Sequence, residues 1–297
     1  MRALVTGGAG FIGSHLVDAL VARGDEVTVV DDLSTGRRDF LNPAAQLVEH
    51  DIRQPSVVAA DAVFHLAAQA DVGTSVARPV FDAEVNVLGT LNVLEAARAA
   101  GARLVFSSTG GAIYGDVDGP AAEDAPLRPV SPYGMAKLAA EAYVQGWNRV
   151  HGTQHVVLRF ANVYGPRQSA TLEGGVIAIF LERLAADEET LIFGDGEQTR
   201  DFVHVDDVVR SLLLASMRDG GIFNVGTGIE TTVNRLHALC CEAVGFDAPP
   251  RHDPPRLGDA RRSVLDVTRS ARELGWGPEV ELADGLRSTW AATTGKE

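Results

Sequence analysis

The stretch VTGGAGFIGSHL, residues 5–16, decides how the rest of the chain is read. It continues a short apolar run that starts at Arg2 and opens an amphipathic segment from Phe11 to Arg23. Gly8, Gly10 and Gly13 stand in the spacing G-x-G-x-x-G. Glycines so spaced permit a tight strand-to-helix turn, let the backbone approach a pyrophosphate and let helix and strand pack closely. The helix N-terminus adds free N–H groups and the positive end of its dipole. Alone the motif is weak, and an ordinary strand-to-helix turn is its alternative. Here an acid, Asp31, closes the next apolar run, EVTVVD at 26–31, about 20 residues on, where a ribose contact belongs. A carboxylate there accepts from a ribose 2′-OH and repels a 2′-phosphate. The pattern therefore predicts NAD rather than NADP, with Arg37 and Arg38 as nearby charges that complicate the preference.

Outward from that turn, strand-like and helix-like segments alternate. QLVEHD (46–51), DAVFHLA (61–67), RLVFSS (103–108) and HVVLRFANV (155–163) read as strands, and 80–100 and 132–150 as helices. Continuous apolar strands separated by helices imply a parallel sheet covered on both faces. The fold class is a doubly wound, Rossmann-type α/β sheet with a smaller C-terminal substrate-binding domain. Beyond residue 165 the rhythm changes to turn-rich segments such as FGDGEQ (193–198) and the proline cluster PPRHDPPRLGD (249–259). The expected division is 1–165 for the dinucleotide and 166–297 for the substrate, with about 203–220 packing back on the first part.

Composition bounds the partners. The formal net charge of -14 repels nucleic acid and anionic membranes, so an anionic ligand needs a locally positive site. The two cysteines, adjacent Cys240 and Cys241, suggest neither a disulfide framework nor a metal site. No metal is expected. The glycine turn starts so near Met1 that no signal peptide fits before it, no apolar run approaches membrane-spanning length, and a cytoplasmic location is expected.

Of 26 basic residues two are lysines, Lys137 and Lys296, and Lys137 ends the segment SPYGMAK (131–137), four residues after Tyr133. On a helix that spacing puts both on one face. A tyrosine pKa of about 10 makes it a poor base at neutral pH, but a cation within ~4–6 Å lowers an acid's pKa by roughly 1–3 units. The pair is thus expected to act as a phenolate and an ammonium, the first taking an alcohol proton while hydride leaves the same carbon. Lysine suits the task because it is a compact point charge on a flexible stem. His65 and His204, embedded in apolar runs, read as core histidines.

With these residues in view, the chain resembles the extended short-chain dehydrogenase/reductases, and among them the nucleotide-sugar epimerases typified by UDP-glucose 4-epimerase. The resemblance is carried by the glycine turn, HLAAQADV (65–72), Tyr133 with Lys137, NVYGPRQ (162–168), TRDFVHVDDVV (199–209) and RSARELGWGP (269–278). It implies an NAD-dependent enzyme that inverts C4 of a nucleotide-diphosphate hexose, most readily a UDP-sugar, through a transient 4-keto sugar. It implies that Gly10, Phe11, Ile12 and Gly13 hold the cofactor's pyrophosphate, with Leu66, Ala67, Ala68 and Gln69 beside it. Asp31, Asp32, Ser34, Thr35 and Gly36 surround the adenosine ribose, and Asp51 and Ile52 the adenine. Asn86 and Ser107 support the cofactor, with Tyr133, Lys137 and Phe160 at its nicotinamide half. The substrate falls to Ser108, Thr109, Asn162, Val176, Phe193, Arg200, Arg256, Asp259 and Ser263. A structural salt bridge from Arg200 to an acid such as Asp201 is the alternative for that arginine. The resemblance also implies a homodimer paired through the helices near 80–100 and 132–150.

Three departures stand out. Relatives place Ser or Thr four residues before the tyrosine of the VYG turn, to bridge sugar and catalytic tyrosine; in SSTGGAIYG (107–115) that position is Gly110, so Thr109 or Ser108 must serve or Tyr133 must act alone. Gly111 and Ala112 lack the acid pair of the related dehydratases, which disfavours dehydration. Ala70 replaces a family lysine. Ser263 is a small gate that leaves room for a 2-acetamido sugar, unless Arg261 and Arg262 fill that space or recognise a uronate. The alternatives are a nucleotide-sugar reductase or UDP-uronate decarboxylase of the same family, and a non-catalytic NAD-sensing protein.

Overall fold

A computed structural model describes all residues except 57–58, 171–174, 247, 256–259 and 295–297. The strands β1 (Arg2–Thr6), β2 (Glu26–Asp31), β3 (Gln46–Glu49), β4 (Ala62–His65), β5 (Arg103–Thr109) and β6 (Val156–Phe160) run parallel in the order β3-β2-β1-β4-β5-β6. A seventh parallel strand, Gly221–Val225, closes the β6 edge. Successive strand residues point to opposite faces, and both faces are apolar because both are covered. Val5, Val29, Phe64, Val105 and Leu158 pack with Leu16 and Leu20 of helix α1 (Phe11–Ala22) and with Val208 and Leu212 of the helix Val205–Ala215. Their neighbours Leu4, Val63, Leu104 and Val157 face the other way, onto Leu94, Ala97, Ala140 and Val144.

The helix that carries Tyr133 and Lys137 spans Pro132–His151. Ser131 caps it by accepting from the Gly134 N–H at 3.1 Å, Pro132 occupies its first turn, and Gly152 ends it in the left-handed conformation at φ 66°. The segment expected as one helix near 80–100 is interrupted: helix Pro79–Ala83 passes through a π-helical turn, Glu84–Leu88, into helix Gly89–Ala100.

A third core gathers Tyr164, Ile177, Phe180, Leu184, Leu236, Cys240 and Leu286, joining the helices Val176–Ala185, Val233–Val244 and Leu282–Thr294. Several segments beyond residue 165 pack on the first part of the chain. Helix Val205–Ala215 packs on α1, Gly221–Val225 joins the sheet, and Leu265 and Trp276 are buried in the first core.

A buried ion pair fastens the Pro132–His151 helix to the sheet. Arg159 on β6 and Glu141 are both about 2% exposed, and Arg159 Nη2 donates to Glu141 Oε2 at 2.7 Å. Arg159 Nη1 also donates to Tyr114 Oη at 2.8 Å, and Tyr114 donates to Asn224 Oδ1 of the seventh strand at 2.9 Å. Removing one partner leaves an uncompensated buried charge. Glu141→Ala is expected to lose about 3–5 kcal/mol in urea denaturation. The double variant Glu141→Leu/Arg159→Met should regain much of that loss; a double variant no more stable than the single one would contradict this account.

Candidate active site

The C-terminal ends of β1, β2, β4 and β5 frame a cavity of about 550 Å³, where parallel α/β sheets place their ligands. The turn after β1 forms its floor. Gly7 is left-handed at φ 71°, and a Cβ there would lie 2.6 Å from the Ala67 backbone nitrogen; a Cβ on Gly13 would lie 2.1 Å from Gly7 O. Gly10 is the N-cap of α1 and faces the cavity with Phe11 and Ile12. Gly8, expected in the fingerprint, instead packs on β2: its Cβ would meet Val29 Cγ1 at 2.7 Å, and it is absent from the cavity wall. Gly7 takes its place. The clue in the sequence was a third glycine upstream, Gly7, which sets Gly7, Gly10 and Gly13 at equal intervals.

Asp31, Asp32, Ser34, Thr35 and Gly36 line one end of this cavity. Asp31 Oδ2 accepts from the Ala9 N–H and Oδ1 from the Leu33 N–H, both at 2.9 Å. Burial raises its pKa against those two bonds. Each carboxylate oxygen keeps accepting capacity for a hydroxyl. Arg37 pairs with Asp39 and Arg38 with Glu49, so both arginines beside the acid are committed to acids of their own. Asp51 and Ile52 share that end with an unforeseen residue, Arg53, whose guanidinium grips Asp51, with Nε to Oδ2 at 2.8 Å. This bond holds the Asp51 carboxyl below its usual range. Leu66, Ala67, Ala68, Gln69, Ser107 and Phe160 complete the expected wall. Asn86 does not line it. It is 2% exposed and braces the loop instead, accepting from the Gln69 N–H at 3.0 Å and donating to Gln69 O at 2.9 Å.

Lys137 and Tyr133 close the far end. Lys137 Nζ donates to Ser107 O at 3.0 Å and lies 5.0 Å from the centre of the Phe106 ring. Burial lowers its pKa to about 8, against the opposing pull of Asp82 and Glu141. The Tyr133 phenol departs from expectation. Burial and the nearby Asp82 raise its pKa, and a hydrogen bond with Thr109 only partly offsets them. Desolvation of the charged form is the largest of these effects. His65, 1% exposed, sits between Thr6 Oγ1 at 2.7 Å and Thr90 Oγ1 at 3.0 Å, and its pKa falls to about 3 with burial. It is a neutral core histidine, as read. His204 is also buried, its Nδ1 accepting from the Asp206 N–H at 3.3 Å.

A second cavity, of about 950 Å³, adjoins the first; Ala70, Asp71, Tyr133, Val163 and Gln168 line both. Thr109, Asn162, Val176, Phe193 and Arg200 line the second, drawn from five separate segments of chain. Arg200 Nη1 donates to Thr199 O at 2.8 Å. Asp201 is occupied elsewhere, accepting from Thr227 Oγ1 at 2.6 Å and the Gly228 N–H at 3.0 Å. Arg256 and Asp259 lie outside the described residues.

Three expectations are corrected here. Ser108 reaches the first cavity's wall, but its hydroxyl donates to the buried Glu141. Ser263 is 6% exposed on the strand Arg262–Ser263, paired with Thr199–Arg200, and lines neither cavity. Arg261 and Arg262 are held by Asp195, with Nη1 to Oδ1 at 2.7 Å, and by Glu230, with Nε to Oε2 at 2.7 Å. Packing explains the glycine at 110: a Cβ there would meet Leu265 Cδ1 at 2.6 Å, and the hydroxyl hydrogen-bonded to Tyr133 is that of Thr109.

The family model for the NAD dependent epimerase/dehydratase family matches residues 3–226. The chain is 47% identical over 304 residues to a UDP-glucose 4-epimerase of Mycolicibacterium smegmatis, covering 97% of each chain. Among solved structures, it is 48% identical to the UDP-glucose 4-epimerase of Thermotoga maritima with UDP-glucose, at a TM-score of 0.97 over 99% of both chains. It is 43% identical to the Thermus thermophilus UDP-glucose 4-epimerase in complex with NAD, at a TM-score of 0.93, again over 99% of both.

The glycine turn yields a direct test. Gly13→Ala places a methyl group inside the Gly7 carbonyl and should abolish retention of dinucleotide, read by extracting the purified protein and assaying the nucleotide released. Gly146→Ala, in open space on the Pro132–His151 helix, should leave retention unchanged and raise stability by about 0.5–1 kcal/mol. Equal retention in Gly13→Ala and wild type would contradict the reading of the turn.

Proposed function

The chain belongs to the NAD dependent epimerase/dehydratase family, and from that premise we propose that it inverts C4 of a UDP-linked hexose through a transient 4-keto sugar, retaining NAD throughout. The observation that carries this reading is the convergence of Tyr133, Lys137 and Thr109 at the junction of the two cavities. The residues fit a dinucleotide: Gly7 and Gly13 leave room where a Cβ would clash, α1 begins at the cavity floor, and an acid closes β2. When bound there, NAD would supply the hydride chemistry at the sugar carbon.

The protein's own residues do the rest. Gly10, Phe11, Ile12 and Gly13 would hold the pyrophosphate, Asp31 the adenosine ribose, and Asp51 with Ile52 the adenine. Lys137 offers its ammonium beside Ser107. Tyr133 Oη exchanges the proton of the sugar O4, with Thr109 Oγ relaying it or steadying the phenolate. Because burial holds the phenol protonated, Tyr133 is the acid when the alcohol re-forms, and the forward step draws on a small phenolate population. Asn162, Val176, Phe193, Arg200, Arg256 and Asp259 would anchor the nucleotide while the sugar turns. Binding remote from the reacting carbon keeps the keto intermediate in place.

The alternatives weaken on the same geometry. A uronate needs a cation beside C5, and Arg261 and Arg262 are paired with Asp195 and Glu230. A non-catalytic sensor would have no use for the Tyr133, Lys137 and Thr109 cluster. Two copies would pair through the exposed Leu88, Met135, Tyr143 and Val150 of the helical face. Among the described residues no helix is long and apolar enough to cross a membrane, and the free, buried Cys240 and Cys241 suit the cytoplasm.

Incubated with UDP-galactose and no added cofactor, the protein should form the C4 epimer, followed by proton NMR. Tyr133→Phe should lose about 10²–10⁴-fold in kcat, and Thr109→Val less. The kcat/KM profile should rise through neutral pH as the phenolate population grows, and level off once Lys137 loses its proton near about 8, because the phenol titrates above the ammonium. Absence of conversion, with NADH consumed against a 4-keto sugar, would favour a reductase instead.

A further inference from the structure

We propose that Asp82 is a positioning residue for the reacting pair: a buried, ionised carboxylate that anchors the loop shared by the two cavities and supplies the negative charge opposite Lys137.

Asp82 is 1% exposed on the helix Pro79–Ala83, which packs against the Pro132–His151 helix. Its Oδ1 accepts from Gln69 Nε2 at 2.8 Å and from Asn86 Nδ2 at 3.0 Å. Neither amide is free to flip. Asn86 Oδ1 takes the Gln69 N–H while its Nδ2 donates to Gln69 O, and Gln69 Oε1 takes the Asp71 N–H at 2.7 Å while its Nε2 donates to Asp71 O at 2.9 Å. Backbone partners therefore dictate that both amides turn N–H toward Asp82. Burial raises the Asp82 pKa, and these two donors on one oxygen, together with the Lys137 charge, oppose it in favour of the anion. The other oxygen, Oδ2, is buried without a hydrogen-bond partner, so a proton placed there would have no acceptor. The π-helical turn at Glu84–Leu88 lies between Asp82 and the helix that follows, and it carries Asn86 onto the same loop. That loop supplies Ala70 and Asp71 to both cavities.

The charges facing Lys137 come from several elements. Its own helix carries Tyr133 and Glu141, β4 brings the neutral His65, β5 brings the Ser107 carbonyl, and Pro79–Ala83 brings Asp82. Glu141 is already compensated by Arg159. Asp82, by contrast, has two neutral amides as its hydrogen-bond partners among the described residues, and no arginine is among them. It pulls the Lys137 pKa up against burial and pushes Tyr133 up with it.

The proposal deepens the epimerase reading, but its test needs no turnover, so each can fail without the other. Lysine labelled with ¹³C at Cε yields two resonances, Lys137 and Lys296. In wild type the Lys137 signal should titrate near about 8. In Asp82→Asn, which keeps the shape and removes the charge, it should titrate lower, and the kcat/KM profile should move bodily to lower pH. Should that variant not fold, Gln69→Ala serves. Wild-type Lys137 should show a second inflection on the acid side as Asp82 takes a proton, and loss of one donor should move that inflection to higher pH. A Lys137 titration unmoved in Asp82→Asn, or an acid-side response indifferent to Gln69→Ala, would overturn the proposal and leave Asp82 a purely structural clamp.

Discussion

The first cavity depends on how closely separate stretches of backbone approach one another at Gly7. The Gly7 N–H donates to Val30 O at 2.9 Å, and its carbonyl accepts from the Gly10 N–H at 3.2 Å. Ala67 presses on its other side, and Gly13 lies under the same carbonyl. With no Cβ in the way, the start of α1, the end of β2 and the loop after β4 converge on one turn. Asp31 then ties that turn down through Ala9. The cavity owes its shape to main-chain contacts of ordered elements, which side-chain motion alone cannot undo.

Charge is organised by a second rule. Most arginines lie on the surface in pairs with acids, as Arg2 does with Asp61 and Arg251 with Glu189. Such exposed pairs contribute about 0–1 kcal/mol each. Where a guanidinium is buried, as at Arg159, the planar fork is matched by a carboxylate and a phenol. Lysine appears where that fork has no place: Nζ of Lys137 meets a carbonyl on one side and a ring face on another. The choice of lysine is a matter of shape as much as charge.

Much of this was legible in the sequence because local pattern and global role coincide. The strands β1 to β6 are apolar on both faces, and the Ser131-Pro132 start and Gly152 stop bracket the helix with the reacting pair. Asp31, Tyr133 and Lys137 are marked by spacing to a neighbouring motif. What escaped depends on contacts between distant segments. Nothing near Gly110 announces that Leu265 fills its space. Nothing near Ser263 announces a strand pairing with Arg200. The sign of the Tyr133 shift also escaped, because burial is a property of everything packed around the phenol and not of its spacing to Lys137. Asp82 was overlooked because an acid in an amphipathic helix reads as a solvated face until the helix on its other side is known.

The seventh strand shapes how the protein comes into being. Gly221–Val225 pairs with β6 and carries Phe223 and Val225 into the first core. During synthesis the β6 edge therefore stands open, with its apolar residues and unpaired backbone groups exposed, until some 60 further residues have emerged, and such an edge recruits other chains. The reacting helix is tied to the same late strand through Arg159, Tyr114 and Asn224. The first half of the chain thus does not complete its own sheet. The sheet is finished only when the polypeptide has passed through the helix Val176–Ala185 of the third core and returned, so the two parts mature together.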